Sequence, residues 1–199
     1  MMNGRAIFDE AAREGSDLII AGVDEAGRGP LAGPVVAAAV ILPREADLTF
    51  VNDSKRLTPR ARDRAAVAIR ECALSFALGM SWPREIEKIN IRRASLVAMA
   101  RAVDGLNLRP ELILVDGCDA IETDTRCLPL IGGDGLSQSV AAASILAKVA
   151  RDELMLEMDV TYPGYGFAVH KGYPTRQHLE AIARLGPCDI HRLTFRGVR

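Results

Sequence analysis

The segment Ala21-Gly22-Val23-Asp24-Glu25-Ala26-Gly27-Arg28-Gly29-Pro30-Leu31-Ala32-Gly33-Pro34 constrains the fold most, because it sets two adjacent acids where an apolar run meets glycines. Neighbouring side chains of a strand point to opposite faces. For Asp24 and Glu25 to serve one site the backbone has to turn between or just after them, and Gly27 and Gly29 permit that turn. A strand end of this kind builds a metal or acid/base site; the same residues also suit a polar hairpin whose acids are merely solvated.

The runs 18–24 and 31–42 read as a buried strand and its hairpin partner. Thr58-Pro59 opens a helix over 60–72, with Ala66, Ile69 and Ala73 spaced for one face. A third strand is expected over 76–82. Pro83 then starts a helical stretch, broken near Asn90 and ended by Gly105. The short apolar run 112–115, ending at Asp116-Gly117, has the form of a central strand that delivers an acid at its C-terminal end. A fifth strand is expected over 127–131. Gly132-Gly133-Asp134-Gly135 leads into a helix capped by Ser137 or Ser139, whose small-residue face includes Ala141 to Ala143 and leaves Lys148 and Arg151 for the polar side. A last helix covers 176–185. A hairpin first, then strands mixed with helices, predicts a mixed α/β sheet rather than a doubly wound parallel one.

The 199 residues, 49% hydrophobic and 26% charged, suffice for one well-buried core. The longest apolar candidate, 31–42, is too short to span a bilayer and holds Gly33 and Pro34. Residues 1–17 carry Arg5, Asp9, Glu10, Arg13 and Glu14 and no apolar signal core, which predicts a cytoplasmic protein. Cys72, Cys118, Cys127 and Cys188 lack C-x-x-C spacing and read as buried small apolar residues, and His170, His178 and His191 lie too far downstream for a zinc site with Cys118 and Cys127. Although the net charge is −1, Lys55, Arg56, Arg60, Arg62, Arg64 and Arg70 gather in one window. Lys171, Arg176, Arg184, Arg192, Arg196 and Arg199 gather in another. Basic margins around an acidic centre suit an enzyme that grips phosphates, though each cluster also suits an ordinary solvated face.

Asp24, Glu25, Asp116 and Asp134 thus stand at strand or loop ends. Four carboxylates in one cleft repel, and cations relieve that repulsion. Oxygen ligands without converging thiols or imidazoles favour Mg²⁺ or Mn²⁺. Two such ions can activate a water and stabilise a leaving oxygen in phosphodiester cleavage. A glycoside hydrolase would want aromatic sugar platforms, and the chain has one Trp; a Walker-type hydrolase would want G-K-[ST], which Gly27 to Gly33 lacks. The non-enzyme alternative is a binding module whose acids only hold a structural metal.

Five motifs, Asp24-Glu25-Ala26-Gly27-Arg28-Gly29-Pro30, Asp53-Ser54-Lys55, Val115-Asp116-Gly117, Ala142-Ala143-Ser144-Ile145-Leu146-Ala147-Lys148-Val149 and His170-Lys171-Gly172-Tyr173-Pro174-Thr175, together resemble bacterial ribonuclease HII. The resemblance runs from about Asp17 to Val198. It implies a ribonuclease H-like fold, a five-stranded mixed sheet flanked by helices with a small helical C-terminal extension over about 160–199. The whole chain is then one domain, with 1–16 a variable N-terminal segment. It also implies a monomeric endonuclease that cuts RNA in RNA–DNA hybrids and incises 5′ to single ribonucleotides in duplex DNA, leaving 3′-hydroxyl and 5′-phosphate ends.

On the same resemblance Asp24, Glu25, Asp116 and Asp134 fall on the catalytic and metal-binding acids, the first three as core ligands. Gly132 replaces a basic residue usual in the family, which predicts weaker phosphate affinity with cleavage retained. Gly27-Arg28-Gly29 falls on the ribose-sensing segment, where glycines let the backbone approach a sugar whose 2′-hydroxyl both donates and accepts. Tyr173 falls on a tyrosine placed near the same ribonucleotide. Lys55, Arg56, Lys148, Lys171 and Arg192 are expected phosphate contacts. His170 suits a structural hydrogen-bonder better than a proton shuttle, and Asp152 a surface ion pair better than a fifth acid.

Overall fold

The computed structural model describes residues 4–46, 48 and 57–198; Lys55 and Arg56, with the Asp53-Ser54-Lys55 motif, lie outside the described residues. Its elements run α1 (Gly4–Ala12), β1 (Ile20–Ala26), β2 (Val35–Ile41), α2 (Pro59–Cys72), β3 (Ser75–Ser81), α3 (Pro83–Asp104), β4 (Leu112–Asp116), β5 (Arg126–Leu130), α4 (Gly133–Leu136), α5 (Gln138–Thr161), α6 (Phe167–His170) and α7 (Arg176–Leu185). The strands form one sheet in the order β3-β2-β1-β4-β5. β1 is antiparallel to β2 and β2 to β3, while β4 is parallel to β1 and β5 to β4, which is the expected mixed sheet.

Alternation along the strands assigns the two faces. Ala38 and Val40 pack with α2 and α5, whereas Val23, Val35, Ala37, Ala39, Ile113 and Val115 pack with α3. Asp24 and Asp116 each follow an α3-facing valine, so both fall on the α5 side at the C-terminal ends of adjacent parallel strands. Gly22 lets α5 sit directly on β1: a Cβ there would lie 2.1 Å from the Ser139 carbonyl carbon. The sheet's other face meets α3 in the same way through Gly79, where a Cβ would lie 2.1 Å from the Ala98 oxygen.

Most expected elements form, with shifted ends. β1 continues to Ala26 because β2 still pairs with it there, at Glu25↔Ala37 and Ala26↔Val36, so the two acids lie within the strand and the turn comes after them at Gly27, φ 100°. β2 begins only at Val35, since residues 31–34 form a loop tied to the C-terminal segment. The break in α3 falls at Asn90, φ 66°. Ser137, not Ser139, caps α5, accepting from the Val140 amide at 3.1 Å. The Ser139 hydroxyl and amide instead donate to Asp9 on α1, a helix that the sequence did not announce. The cysteines are also corrected: Cys118, in the loop after β4, is exposed, and Cys72, Cys127 and Cys188 pack against the margins of the core clusters and are only half-buried.

Behind the sheet, Tyr165 and Phe167 stack and pack with Ala32, Met155, Ala181 and Ile190. Three buried imidazoles complete this layer, and one proton arrangement satisfies them all. Cys188 N–H donates to His191 Nδ1 (2.9 Å), His191 Nε2–H to His178 Nε2 (3.1 Å), and His178 Nδ1–H to the Tyr173 carbonyl (2.9 Å). His170 donates from Nε2 to the Tyr165 carbonyl and accepts the Gly172 amide at Nδ1. Burial lowers the pKa of His178 to about 4 and pulls His191 down as well, which favours the neutral form of these two rings. His170 is thus the structural hydrogen-bonder its sequence context suggested.

Candidate active site

The parallel pairing of β1 with β4 stops at Val23↔Val115, and the next residue of each strand is an aspartate. Asp24 is 5% exposed; it accepts the Glu25 amide at 2.7 Å and a hydrogen bond from Ser144 on α5. Burial first, then the charges of Glu25 and Asp116, hold its carboxyl well above the usual range. Glu25 is raised by burial and by Asp116, and Arg28 opposes that shift from 3.3 Å. These mutual effects bring Asp24, Glu25 and Asp116 into one electrostatic neighbourhood. Asp116 Oδ1 accepts the Gly133 amide at 2.6 Å, which seats the one-turn helix α4, and with it Asp134, beside β4.

The donor set fits a divalent cation. Glu25 Oε2 is buried without a hydrogen-bond partner among the described residues, and the neighbouring Asp24 is an oxygen ligand already taken from water. Among the described residues no three His, Cys, Asp or Glu side chains converge closely enough to hold a metal ion as they stand. Each of the three turns an oxygen to another donor: Asp24 to the Glu25 amide, Asp116 to Gly133, Glu25 to Arg28.

Beside the acids, the loop 27–34 carries the other expected residues. Gly27 is buried, and a Cβ there would strike Arg151 Nε at 2.1 Å, whereas Arg28 and Gly29 are exposed. A Cβ at Gly29 would first meet the Tyr173 ring, at 3.8 Å, so the glycine segment and the 42%-exposed tyrosine border one surface. Leu31 N–H bonds to Gly172 O (2.8 Å) and Gly33 N–H to Ile190 O (2.8 Å), lacing this loop to the C-terminal segment. Of the expected phosphate contacts, Lys148 pairs with Asp152 at 2.5 Å, with Arg62 a further 3.9 Å partner of that acid. Lys171 donates to Ala168 O at 2.5 Å. Asp152 is thus an ion-pair residue.

Two arginines overturn their sequence reading. Arg192, expected at a phosphate, is 0% exposed, and Arg151, expected on the polar side of α5, is 1% exposed. The reason is a concentration of inward carbonyls. Arg192 donates to Gly33 O from Nε (3.0 Å) and Nη2 (2.8 Å), to Arg28 O (2.9 Å) and to Gly27 O (2.7 Å). Arg151 donates to Pro34 O, Lys171 O and Ala32 O, each at 3.1 Å. Burying one charge costs several kcal/mol. Charge-assisted bonds contribute about 1.5–3 kcal/mol each, so three or four of them offset that cost. A spacing of three and four along α5 would have given the signal: Ser144, Lys148 and Arg151 share one helix face, so a residue next to the site implied the others.

A mixed β3-β2-β1-β4-β5 sheet with an aspartate on each of its two inner parallel strands, just past their last mutual pair, defines an enzyme of the ribonuclease H-like class. The family model of ribonuclease HII matches residues 21–198. The ribonuclease HII of Geobacter sulfurreducens is 54% identical over 197 residues, 98% of this chain and 90% of its own. In structure, ribonuclease H2 from Pyrococcus horikoshii OT3 superimposes with a TM-score of 0.76 at 26% identity, covering 90% of this chain and 95% of that one. Bst-RNase HIII in complex with Mn²⁺ superimposes at 0.67 and 25% identity, covering 94% and 70%. The chain belongs to the ribonuclease HII family and is a ribonuclease.

Proposed function

We propose that this enzyme hydrolyses the RNA strand of RNA–DNA hybrids and incises duplex DNA on the 5′ side of a single embedded ribonucleotide, leaving 3′-hydroxyl and 5′-phosphate ends. The observation that carries the reading is the meeting of two surfaces: the buried Asp24 on β1 with the half-buried Asp116 that ends β4, and the exposed Gly29–Tyr173 edge beside them. Asp24, Glu25 and Asp116, joined by Asp134, would hold Mg²⁺ or Mn²⁺, and the Mn²⁺ complex of the structurally similar Bst-RNase HIII supports that choice. The bound metal supplies an activated water and charge for the leaving oxygen.

The chain's own residues do the rest. The Gly27-Arg28-Gly29 backbone and Tyr173 receive the ribose; Lys148 and Lys171, and Lys55 outside the described residues, draw the phosphates. The segment about 160–199, which carries Tyr173, acts as the substrate-binding extension. Among the described residues no helix is long and apolar enough to cross a membrane, and we place the enzyme in the cytoplasm as a monomer.

The test is cleavage of a labelled DNA duplex with one ribonucleotide, with Mg²⁺, with Mn²⁺ and with chelator. Metal-dependent nicking 5′ to the ribonucleotide is expected. Tight binding without nicking would instead favour a hybrid-binding module with a structural metal.

A further inference from the structure

Among the described residues Arg151 and Arg192 are the largest fully buried side chains, and neither meets a carboxylate. They lie close enough for Arg151 to make it harder for Arg192 to hold its charge. Two adjacent cations without a carboxylate are costly to bury, and what offsets that cost here is hydrogen bonding alone. Their partners are therefore informative. All six are main-chain carbonyls: Gly27, Arg28, Ala32, Gly33, Pro34 and Lys171. Five belong to the loop beside the acids, and the sixth is two residues before Tyr173. The Arg151 guanidinium also lies 6.0 Å from the centre of the Tyr173 ring.

The chain contains no cis peptide among the described residues. In a trans peptide the C=O and the following N–H point in opposite directions. With the Gly27 and Arg28 carbonyls drawn inward onto Arg192, the amides of Arg28 and Gly29 must face the other way. That side is the exposed one, bordered by Tyr173. Neither amide donates to a backbone carbonyl among the described residues, whereas those of Leu31 and Gly33, further along the loop, do.

We infer that Arg192 and Arg151 are positioning residues for ribonucleotide recognition: their guanidiniums fix the peptide planes of 27–34 so that the Arg28 and Gly29 amides present two donors to the sugar-phosphate beside Tyr173. The forked geometry matters as well as the charge, because three carbonyls in different directions need the separate Nε, Nη1 and Nη2 donors, which one ammonium does not supply. This inference rests on the ribonucleotide-incising reading of the site.

Arg192→Lys and Arg151→Lys keep the charge and lose the fork. In each, the preference for binding a duplex with one ribonucleotide over the all-DNA duplex, measured in Ca²⁺, is expected to fall at least tenfold, with kcat/KM falling in parallel. Mn²⁺ affinity by titration calorimetry stays within twofold, because the metal ligands are untouched. A folded variant whose preference stays within twofold of the parent overturns the inference, as does one that loses Mn²⁺ affinity in step. Amide exchange in the unaltered protein decides the matter even where the variants fail to fold. Arg28 and Gly29 should exchange fast when free and slow at least tenfold on the ribonucleotide duplex but not on the all-DNA duplex, with Leu31 and Gly33 protected throughout. Arg28 and Gly29 amides already protected in the free protein overturn it. A parent that neither prefers nor cuts the ribonucleotide duplex fails by itself, without any variant; it overturns the site reading and this inference together.

Discussion

The ends of β1 and β4 and the loop 27–34 lie side by side and are built on opposite terms. At the strand ends, acids are buried with too few donors: Asp24 and Glu25 are pushed toward their neutral forms, and Glu25 Oε2 has no partner among the described residues. In the loop, cations are buried with every carbonyl they can reach, and Arg192 makes four bonds. The first region is incomplete until something cationic arrives; the second is complete as it folds. A site that must bind an ion and a sugar divides the work accordingly, leaving strain at the ligands and rigidity at the surface that measures the substrate.

The largest effect expected is Asp24→Asn. It should lower cleavage of the ribonucleotide duplex by roughly 10³-fold or more, about 4 kcal/mol of barrier, as read from single-turnover rates. The same change should raise the melting temperature of the metal-free protein by a few degrees, through about 1 kcal/mol of relieved charge burial. An unchanged rate would show that the strand-end acids are not the metal ligands.

Arg192→Met attacks the other region. It leaves the Gly27, Arg28 and Gly33 carbonyls buried without donors, and about 3–5 kcal/mol of stability should go, a fall on the order of 10 °C by calorimetry. A smaller loss would mean that the loop relaxes to water and is less rigid than its bonds imply.

Acidification probes the histidine chain that holds the Tyr173 carbonyl. His178 titrates near 4 in the fold and at 6.5 when unfolded, so its contribution is full above 6.5 and is lost as the pH falls toward 4. The loss amounts to roughly 3 kcal/mol at most. Denaturant midpoints in the parent should drop across that window, and His178→Gln should flatten the drop.

The smallest effect is expected at Gly132→Lys. Gly132 sits at φ 69° with open space around it, so a side chain fits but the backbone is strained by about 1–2 kcal/mol. Duplex affinity should rise several-fold with the rate retained, and binding and rate both unchanged would remove the idea that this glycine weakens phosphate grip.

The strand-end acids were legible because an apolar run that stops at an acid is a local pattern. The ends of β1 were less so, since its continuation to Ala26 depends on pairing with β2, a partner the run itself does not name. Arg151 and Arg192 were not legible one at a time: an arginine is normally a surface residue, and what buries these two is a set of carbonyls contributed by distant segments. The glycines of 27–33 hinted at close approach, but not at what approaches. α1 was missed although Phe8 and Ala12 pack against Ile20, Leu112 and Leu114, because its anchor is Asp9 accepting from Ser139, a long-range polar contact that hydrophobic spacing does not report.

Gly22 lies two residues before Asp24 and touches nothing chemical, yet α5 rests on its bare backbone. That helix carries Ser144 against Asp24 and Arg151 against the loop, so the thickness of one residue is the gauge to which both are set. A methyl group there would lift the helix as a rigid rod and misalign the acid's partner and the loop's clamp together. In a saturation screen for activity, this glycine should therefore tolerate as little as the aspartate beside it.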